Sequence, residues 1–370
     1  VPKSNCLTKE QRLSLQMDEF MNRRYEFRYN TQIGEVEYRE RFSFRFYFHP
    51  IDKRAQNSIM LDAQSEGIGV WDRDIDRYLH SNRVPIYNPL EEFLFHLPHW
   101  DGKDRIHALA NRVPCNNPHW ELLFHRWFLN MVSHWRGVNK MYANSTSPIL
   151  VGAQGTHKST FCREMIPPAL RAYYTDSIDF SQKRDAELYL NRFALINIDE
   201  FDQITLTQQG FLKHILQKPV VNLRKPHGRS VLELQRYASF IGTSNQKDLL
   251  TDPSGSRRFI CIEVTGNIDT TQPIDYEQLY AQAMHEISHG ERYWFNSEDE
   301  QIMTENNREF EQTPAMIQLF YQYFRAPQAG EEGEFFTPVE ILNYLKKKSG
   351  ISLSDNKEYH LGRMLQKCGI

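Results

Sequence analysis

The sequence predicts an α/β fold built on a parallel sheet with helices packed against it. Three observations lead there. From Ser147 onward, short apolar runs alternate with helical stretches: "SPILVG", "RFALINIDEFD", "RYASFIGTSN" and "RRFICIEV". The runs are continuous rather than alternating, as suits strands buried on both faces. Three of the four end in glycine, acid or amide residues, and in sheets of this kind chemistry collects beyond the carboxyl ends of the strands.

The preceding chain reads as accessory structure. Residues 1–90 form a mostly helical N-terminal region with an aromatic hairpin. "LTKEQRLSLQMDEFMNRRYEFRYN" opens with an amphipathic helix capped at Thr8. "IGEVEYRERFSFRFYFHP" alternates and is rich in Phe and Tyr, which predicts a strand or hairpin. Short helices follow, separated by Pro, Asn and Gly. Residues 91–146 are a helical lead-in, in which "HWELLFHRWFLNMVSHWRGV" carries an apolar stripe at helical spacing that reads as core packing. The sheet-bearing core spans 147–326 and closes with the helices "YEQLYAQAMHEISHGERYWFN" and "PAMIQLFYQYF". "APQAGEEGE" is a polar linker. Residues 335–370 open with Thr337 as cap and Pro338 at the first helical position, then give two short helices.

Composition narrows the classes. At 370 residues the chain has room for two or three domains. With 40% hydrophobic and 13% aromatic residues it can bury a core, which excludes wholesale disorder. A formal net charge of −3 argues against a globally basic nucleic-acid binder but leaves room for a local basic strip. Cys6, Cys115, Cys162, Cys261 and Cys368 are scattered with no C-x-x-C, so a disulfide framework or zinc ribbon is not expected and a reducing cytoplasm is. His96 and His99 flank Pro98, which disfavours a helical metal pair. No apolar run is long enough to span a membrane, and no signal peptide opens the chain. A start at Val1 and a stop in "KCGI" read as a piece of a longer protein.

"VGAQGTHKST" carries most of the chemistry. A phosphate-cradling loop reads G-x-x-x-x-G-K-[ST]. Gly152, Lys158 and Ser159 fit, but His157 stands where glycine is expected. Backbone amides across Gly152, Ala153, Gln154, Gly155, Thr156, His157, Lys158, Ser159 and Thr160 would surround phosphates. Lys158 would reach the β- and γ-phosphates, and Ser159 would ligate Mg²⁺. His157 keeps its backbone N–H, provided its dihedrals are allowed.

Three later elements strengthen that reading. Asp199 and Glu200 end an apolar strand about 40 residues on, the spacing of a Walker B pair, with Asp199 ordering the Mg²⁺ shell and Glu200 polarising water. Asn245 ends the next apolar run and would position that water. Arg257 and Arg258 precede the last strand, and one of them, presented by a neighbouring subunit, would act as an arginine finger.

The loop at 152–160, "NIDE" at 197–200, "GTSN" at 242–245, "SRRF" at 256–259 and the upstream "LPHWDGKDRI" at 97–106 together resemble the virulence-associated protein E family. The resemblance covers residues 60–325. It implies an AAA+-like P-loop ATPase core related to superfamily 3 helicases, using ATP and Mg²⁺. It also implies a cytoplasmic enzyme of phage or mobile-element replication, assembled as a homo-oligomeric ring (a hexamer) on single-stranded or forked DNA, with a primase domain or partner. Members of superfamily 3 carry a basic hairpin before the Asn-bearing strand. Here "VVNLRKPHGRSVLELQR" matches it, with Lys225, His227 and Arg229 at the tip contacting phosphates. The last segment, with Lys346, Lys347 and Lys348, looks like a partial winged-helix module. A different reading is a nucleotide-switched, DNA-associated interaction or interference protein with little motor activity. A phosphotransferase is disfavoured, because Asp199, Glu200 and Asn245 suit activation of water better than of a substrate hydroxyl.

Overall fold

The computed structural model describes residues 7–137, 142–223, 232–250, 253–312, 315–325, 330–349 and 358–367. The N-terminal region is helical and also carries a small sheet. Helix Lys9–Arg24 starts at a reciprocal cap between Thr8 and Gln11, which satisfies two amides the helix itself cannot. Strand β1 (Tyr25–Asn30) follows at once and pairs antiparallel with β2 (Glu35–Glu40). β3 (His49–Pro50) adds to β2, and β4 (Ile86–Tyr87) runs parallel to β1, giving the order β3-β2-β1-β4. Helices Lys53–Ser65 and Asp72–Leu79 cover it around Phe20, Met21, Phe27, Ile59 and Tyr78.

The strand or hairpin expected across 33–50 is present in part: β2 and β3 both lie within it and pair antiparallel, while β2 also pairs back to β1. The hairpin begins earlier, at Tyr25, and the sheet is left at Arg41. Alternation in 41–48 promised a buried face, but no core lies beneath it: Phe42, Phe44 and Phe46 are exposed.

Helices Pro89–Phe95, Arg105–Ala110 and Trp120–Trp135 lead into the central sheet. The last is buried almost throughout, with Phe124, Trp127, Phe128 and Trp135 sealed from solvent. The sheet then takes β5 (Ser147–Val151), β6 (Tyr174–Thr175) and β7 (Leu195–Ile198). A separate antiparallel hairpin, β8 (Val220–Leu223) with β9 (Leu232–Gln235), interrupts the sequence before β10 (Ser239–Ser244) and β11 (Phe259–Glu263). The sheet order is β11-β5-β10-β7-β6, parallel throughout. Leu150, Leu195, Ile241 and Ile260 pack into one core, while Ile149, Ile196, Phe240 and Phe259 pack into another. The period-2 alternation thus feeds two buried faces, which is why the strands read as unbroken apolar runs.

After helices Tyr276–Ser288 and Ser297–Asn306, a smaller cluster gathers helices Ala315–Tyr323, Pro338–Ser349 and Glu358–Lys367 around Phe320, Leu342, Leu345 and Leu361. Thr337 and Glu340 cap the second of these reciprocally. No described helix is long and apolar enough to cross a membrane.

Candidate functional site

The loop after β5 turns directly into helix Lys158–Glu164. Gly152 lies so close to Val264 that a side chain there would meet its carbonyl oxygen at 3.0 Å. Gly155 has φ +85°, a backbone region that glycine enters without strain. His157 sits at φ 66°, ψ 21°, also left-handed. The glycine expected there is thus a conformational requirement, and the histidine meets it under strain. Histidine tolerates this region better than most residues.

Lys158 is 6% exposed. Its ammonium donates to Gly152 O at 2.7 Å, Ala153 O at 2.8 Å and Asn245 Oδ1 at 3.3 Å. Burial draws its pKa below the usual lysine range, while nearby Asp199 and Asp202 act in the opposite direction. Ser159 Oγ donates to Asp199 Oδ1 at 3.0 Å, and Thr243 Oγ1 donates to that same oxygen. Ser244 Oγ donates to Asp202 Oδ1 at 2.8 Å, and the Asn245 amide N–H reaches it at 3.4 Å.

β10 lies between β5 and β7, so the Asn245 strand stands between the Lys158 loop and the Asp199–Glu200 turn. Gly242 permits this close packing: a side chain there would meet Ile149 Cδ1 at 2.8 Å and Ile198 O at 3.3 Å. The result is a cavity of about 320 Å³, lined by Gln154 through Thr160, Asp199, Glu200 and Thr243 through Asn245. Glu200 is itself left-handed at φ 52°. His157 and Glu200 are the only non-glycine residues with positive φ among the described residues, and both line this cavity.

Arg257 and Arg258 are not part of it. They precede Phe259, which pairs with Ser147 at the start of β5. They therefore lie at the amino end of the sheet, a strand length of about 15 Å from the glycine loop. Arg257 Nη1 donates to Glu300 Oε2 at 2.9 Å. Both arginines line a second cavity of about 750 Å³ with Tyr142, Tyr293, Trp294 and Phe295. Lys225, His227 and Arg229 lie outside the described residues, although the β8–β9 strands that lead to them do pair.

Residues 94–312, more than half of the chain, match the model of the Virulence-associated protein E-like domain. The chain belongs to this family. The matched segment holds the whole central sheet and both of its polar ends. Residues 313–370 match a second model, described as a domain of unknown function, DUF3874. No curated protein matches the chain. Among solved structures, the apo form of the NrS-1 C terminal region (305–718) is 14% identical, with 81% of this chain and 76% of that one covered at a TM-score of 0.46. An A form apo structure of the same region is 12% identical, covering 80% and 66% at a TM-score of 0.42.

Two residues escaped sequence reasoning. Asp202, two positions beyond Glu200, is a third acid that ties β7 to the end of β10. Thr243 orients Asp199 and is 3% exposed. The signal for it was a hydroxyl inside the otherwise apolar run "ASFIGTSN".

Proposed function

We propose that this chain is an ATP-hydrolysing DNA helicase or translocase of superfamily 3 type, with an AAA+-like P-loop core, serving replication of a phage or mobile element. The observation that carries the reading is the convergence of Lys158, Ser159, Asp199, Glu200 and Asn245 on one cavity at the carboxyl end of a parallel sheet. The donor set fits the groups such an enzyme needs. Ser159 Oγ and Asp199 Oδ1 are two hard oxygens 3.0 Å apart, as suits Mg²⁺. Lys158 holds its charge on loop carbonyls beside the amides of 153–157, where an anion would be welcome.

Bound MgATP would supply the phosphoanhydride whose cleavage does the work. The protein's share is positioning. Glu200 is exposed at the cavity and can take a proton from water, and Asn245 can hold that water in line. The cavity has no aromatic wall apart from His157 and is sized for phosphates rather than a whole nucleotide. Arg257 and Arg258 face away at the other end of the sheet, so they can complete the site only in a neighbouring copy. This arrangement supports a ring, with the β8–β9 hairpin directed at single-stranded DNA.

ATP-dependent strand displacement tests the reading, with Lys158→Ala as control. Substantial unwinding by the variant would overturn it. The strain at His157 and Glu200 favours a second reading, in which nucleotide binding only switches assembly. Steady-state turnover in wild type and Glu200→Gln separates the two, since equal rates would leave only the switch.

A further inference from the structure

The segment between β2 and β3, "RFSFRFYF" at 41–48, is the largest display of exposed aromatic surface on the molecule's N-terminal region. Phe42 is 87% exposed, Phe44 96%, Phe46 76% and Tyr47 68%. A Phe ring carries on the order of 150–250 Å² of surface, so four such rings left in water call for an occupant.

The segment is held at several points. Arg39 Nη1 donates to Phe46 O at 2.9 Å. Arg41 Nε donates to Asn22 O at 2.7 Å, and its Nη1 donates to Glu26 Oε1 at 2.7 Å. Phe48 sits under two guanidinium groups, 4.0 Å from Arg28 and 4.8 Å from Arg39. Tyr47 packs edge-on against His49 at 5.6 Å. The backbone is tied at Arg41 and Phe46 while the rings of Phe42, Phe44 and Phe46 are exposed, which lowers the ordering entropy that binding would otherwise require.

Charge identifies the partner. The phenylalanines alternate with Ser43 and Arg45, so a cation stands between the rings of Phe44 and Phe46 in the sequence. Arg39 and Arg41 share the single carboxylate of Glu26, and with Glu40 between them the group is neutral, so the uncompensated cation of the segment is Arg45. The Arg45 guanidinium has no ion-pair partner among the described residues, and Lys53 and Arg54 stand exposed just beyond β3. Flat rings interleaved with cations suit a chain of flat bases joined by anionic phosphates.

We propose that the 41–48 segment is a stacking platform for single-stranded nucleic acid, with bases on Phe42, Phe44 and Phe46 and phosphates on Arg45. The site is remote in sequence from the glycine loop and does not depend on the ATPase reading.

The test is fluorescence anisotropy of the full chain with a labelled oligothymidylate of about 20 nucleotides, longer than the about 4–16 nucleotides of a single-strand binding fold, without any nucleotide cofactor. Replacing Lys225, His227 and Arg229 by alanine in a parallel series removes the candidate hairpin contact. In either background, Phe44→Ala should weaken binding about five- to 100-fold, with Phe44→Trp restoring it. Phe42→Ala and Phe46→Ala should follow, with melting temperatures unchanged because the rings are exposed. Equal affinity of the three alanine variants and wild type, or absence of binding by wild type, would overturn the proposal. So would Phe-dependent binding to phosphatidylserine vesicles, or Phe-dependent self-association, without oligonucleotide binding. Loss of ATP hydrolysis with retained Phe-dependent binding would sink the ATPase and leave this site standing.

Discussion

The two ends of the central sheet both gather polar side chains, yet they hold them in opposite ways. At the carboxyl end, Asp199, Glu200 and Asn245 are exposed, and two residues there adopt left-handed backbone. At the amino end Arg257 is exposed, but behind it a second set of polar groups is sealed. Arg236 is fully buried and donates to the carbonyls of Ala238, Ile215, Leu216, Lys218 and Asn144 at 2.7–3.2 Å. It thus serves the last turn of helix Leu206–Leu216, whose carbonyls have no partner within the helix. Burial pulls its pKa down to about 9, still high enough to stay charged near neutrality. Asn144 Nδ2 donates to Ser239 Oγ at 2.9 Å, and the Asn144 amide donates to His134 Nε2 at 2.8 Å. One end keeps its charges within reach of a ligand and tolerates strain. The other spends its hydrogen bonds on fastening the root of the β8–β9 hairpin to the sheet. Polarity at a strand end therefore does not by itself mark a site; accessibility and strain separate function from support.

The sharpest way to break this contrast is to read turnover and stability together. Glu200→Gln should lower ATP turnover by about 10²–10⁴-fold. Its urea midpoint should correspond to a stability change within about 0.5 kcal/mol, as for an exposed position. An unchanged rate would remove the catalytic assignment of the carboxyl end. At the other end, Arg236→Ala strands several buried carbonyls and should destabilise the chain by about 3–5 kcal/mol in urea unfolding. A loss below about 1 kcal/mol would show that the amino-end network is not structural.

Acid should find the same difference at an intermediate scale. Burial, helped by the charge of Arg236, holds the His134 pKa down at about 3, against an ordinary 6.5. Between those values the unfolded chain binds a proton that the fold refuses. Stability is complete above pH 6.5 and falls as pH drops through the window, by about 2 kcal/mol at pH 5. His134→Gln should flatten the unfolding free energy between pH 6.5 and 5, and an unaltered slope would count against the buried neutral imidazole. The smallest effect belongs to the strained loop. His157→Gly should relieve its left-handed backbone and stabilise by about 0.5–1 kcal/mol, seen as a rise in melting temperature. A fall would mean that the histidine side chain contributes more than its conformation costs.

Legibility followed burial. "SPILV", "LINI" and "SFIGTS" stood out because each strand is covered on both faces. β6 is only Tyr174–Thr175 and leaves no periodicity to read. In the N-terminal region the alternating Phe42, Phe44 and Phe46 looked more strand-like than "YEFRYN", which actually pairs. Alternation reports that two faces differ, not that anything covers one of them. Of the candidate cavity, the lysine, the hydroxyl, the acid pair and the amide were visible as residue types at strand ends. Asp202 and Thr243 were not, because their partners are 42–44 residues away in sequence. Arg236 read as the ordinary end of "VLELQR". Nothing local reports that five carbonyls converge on it.

By itself the sequence determined the local terms: which runs are apolar enough to be strands, where Thr8 and Thr337 start helices, and that glycine, acid and amide follow three of those strands in turn. Such features depend on neighbours within a few residues, and propensity, capping and hydrophobic period act over that range. Tertiary structure alone decided the order β11-β5-β10-β7-β6. That order sets Asn245 between Lys158 and Asp199 and carries Arg257 and Arg258 to the opposite end. Strand pairing joins residues tens of positions apart through backbone groups that every residue shares. Side chains choose among pairings only through the faces they bury, which exist only once the sheet has formed.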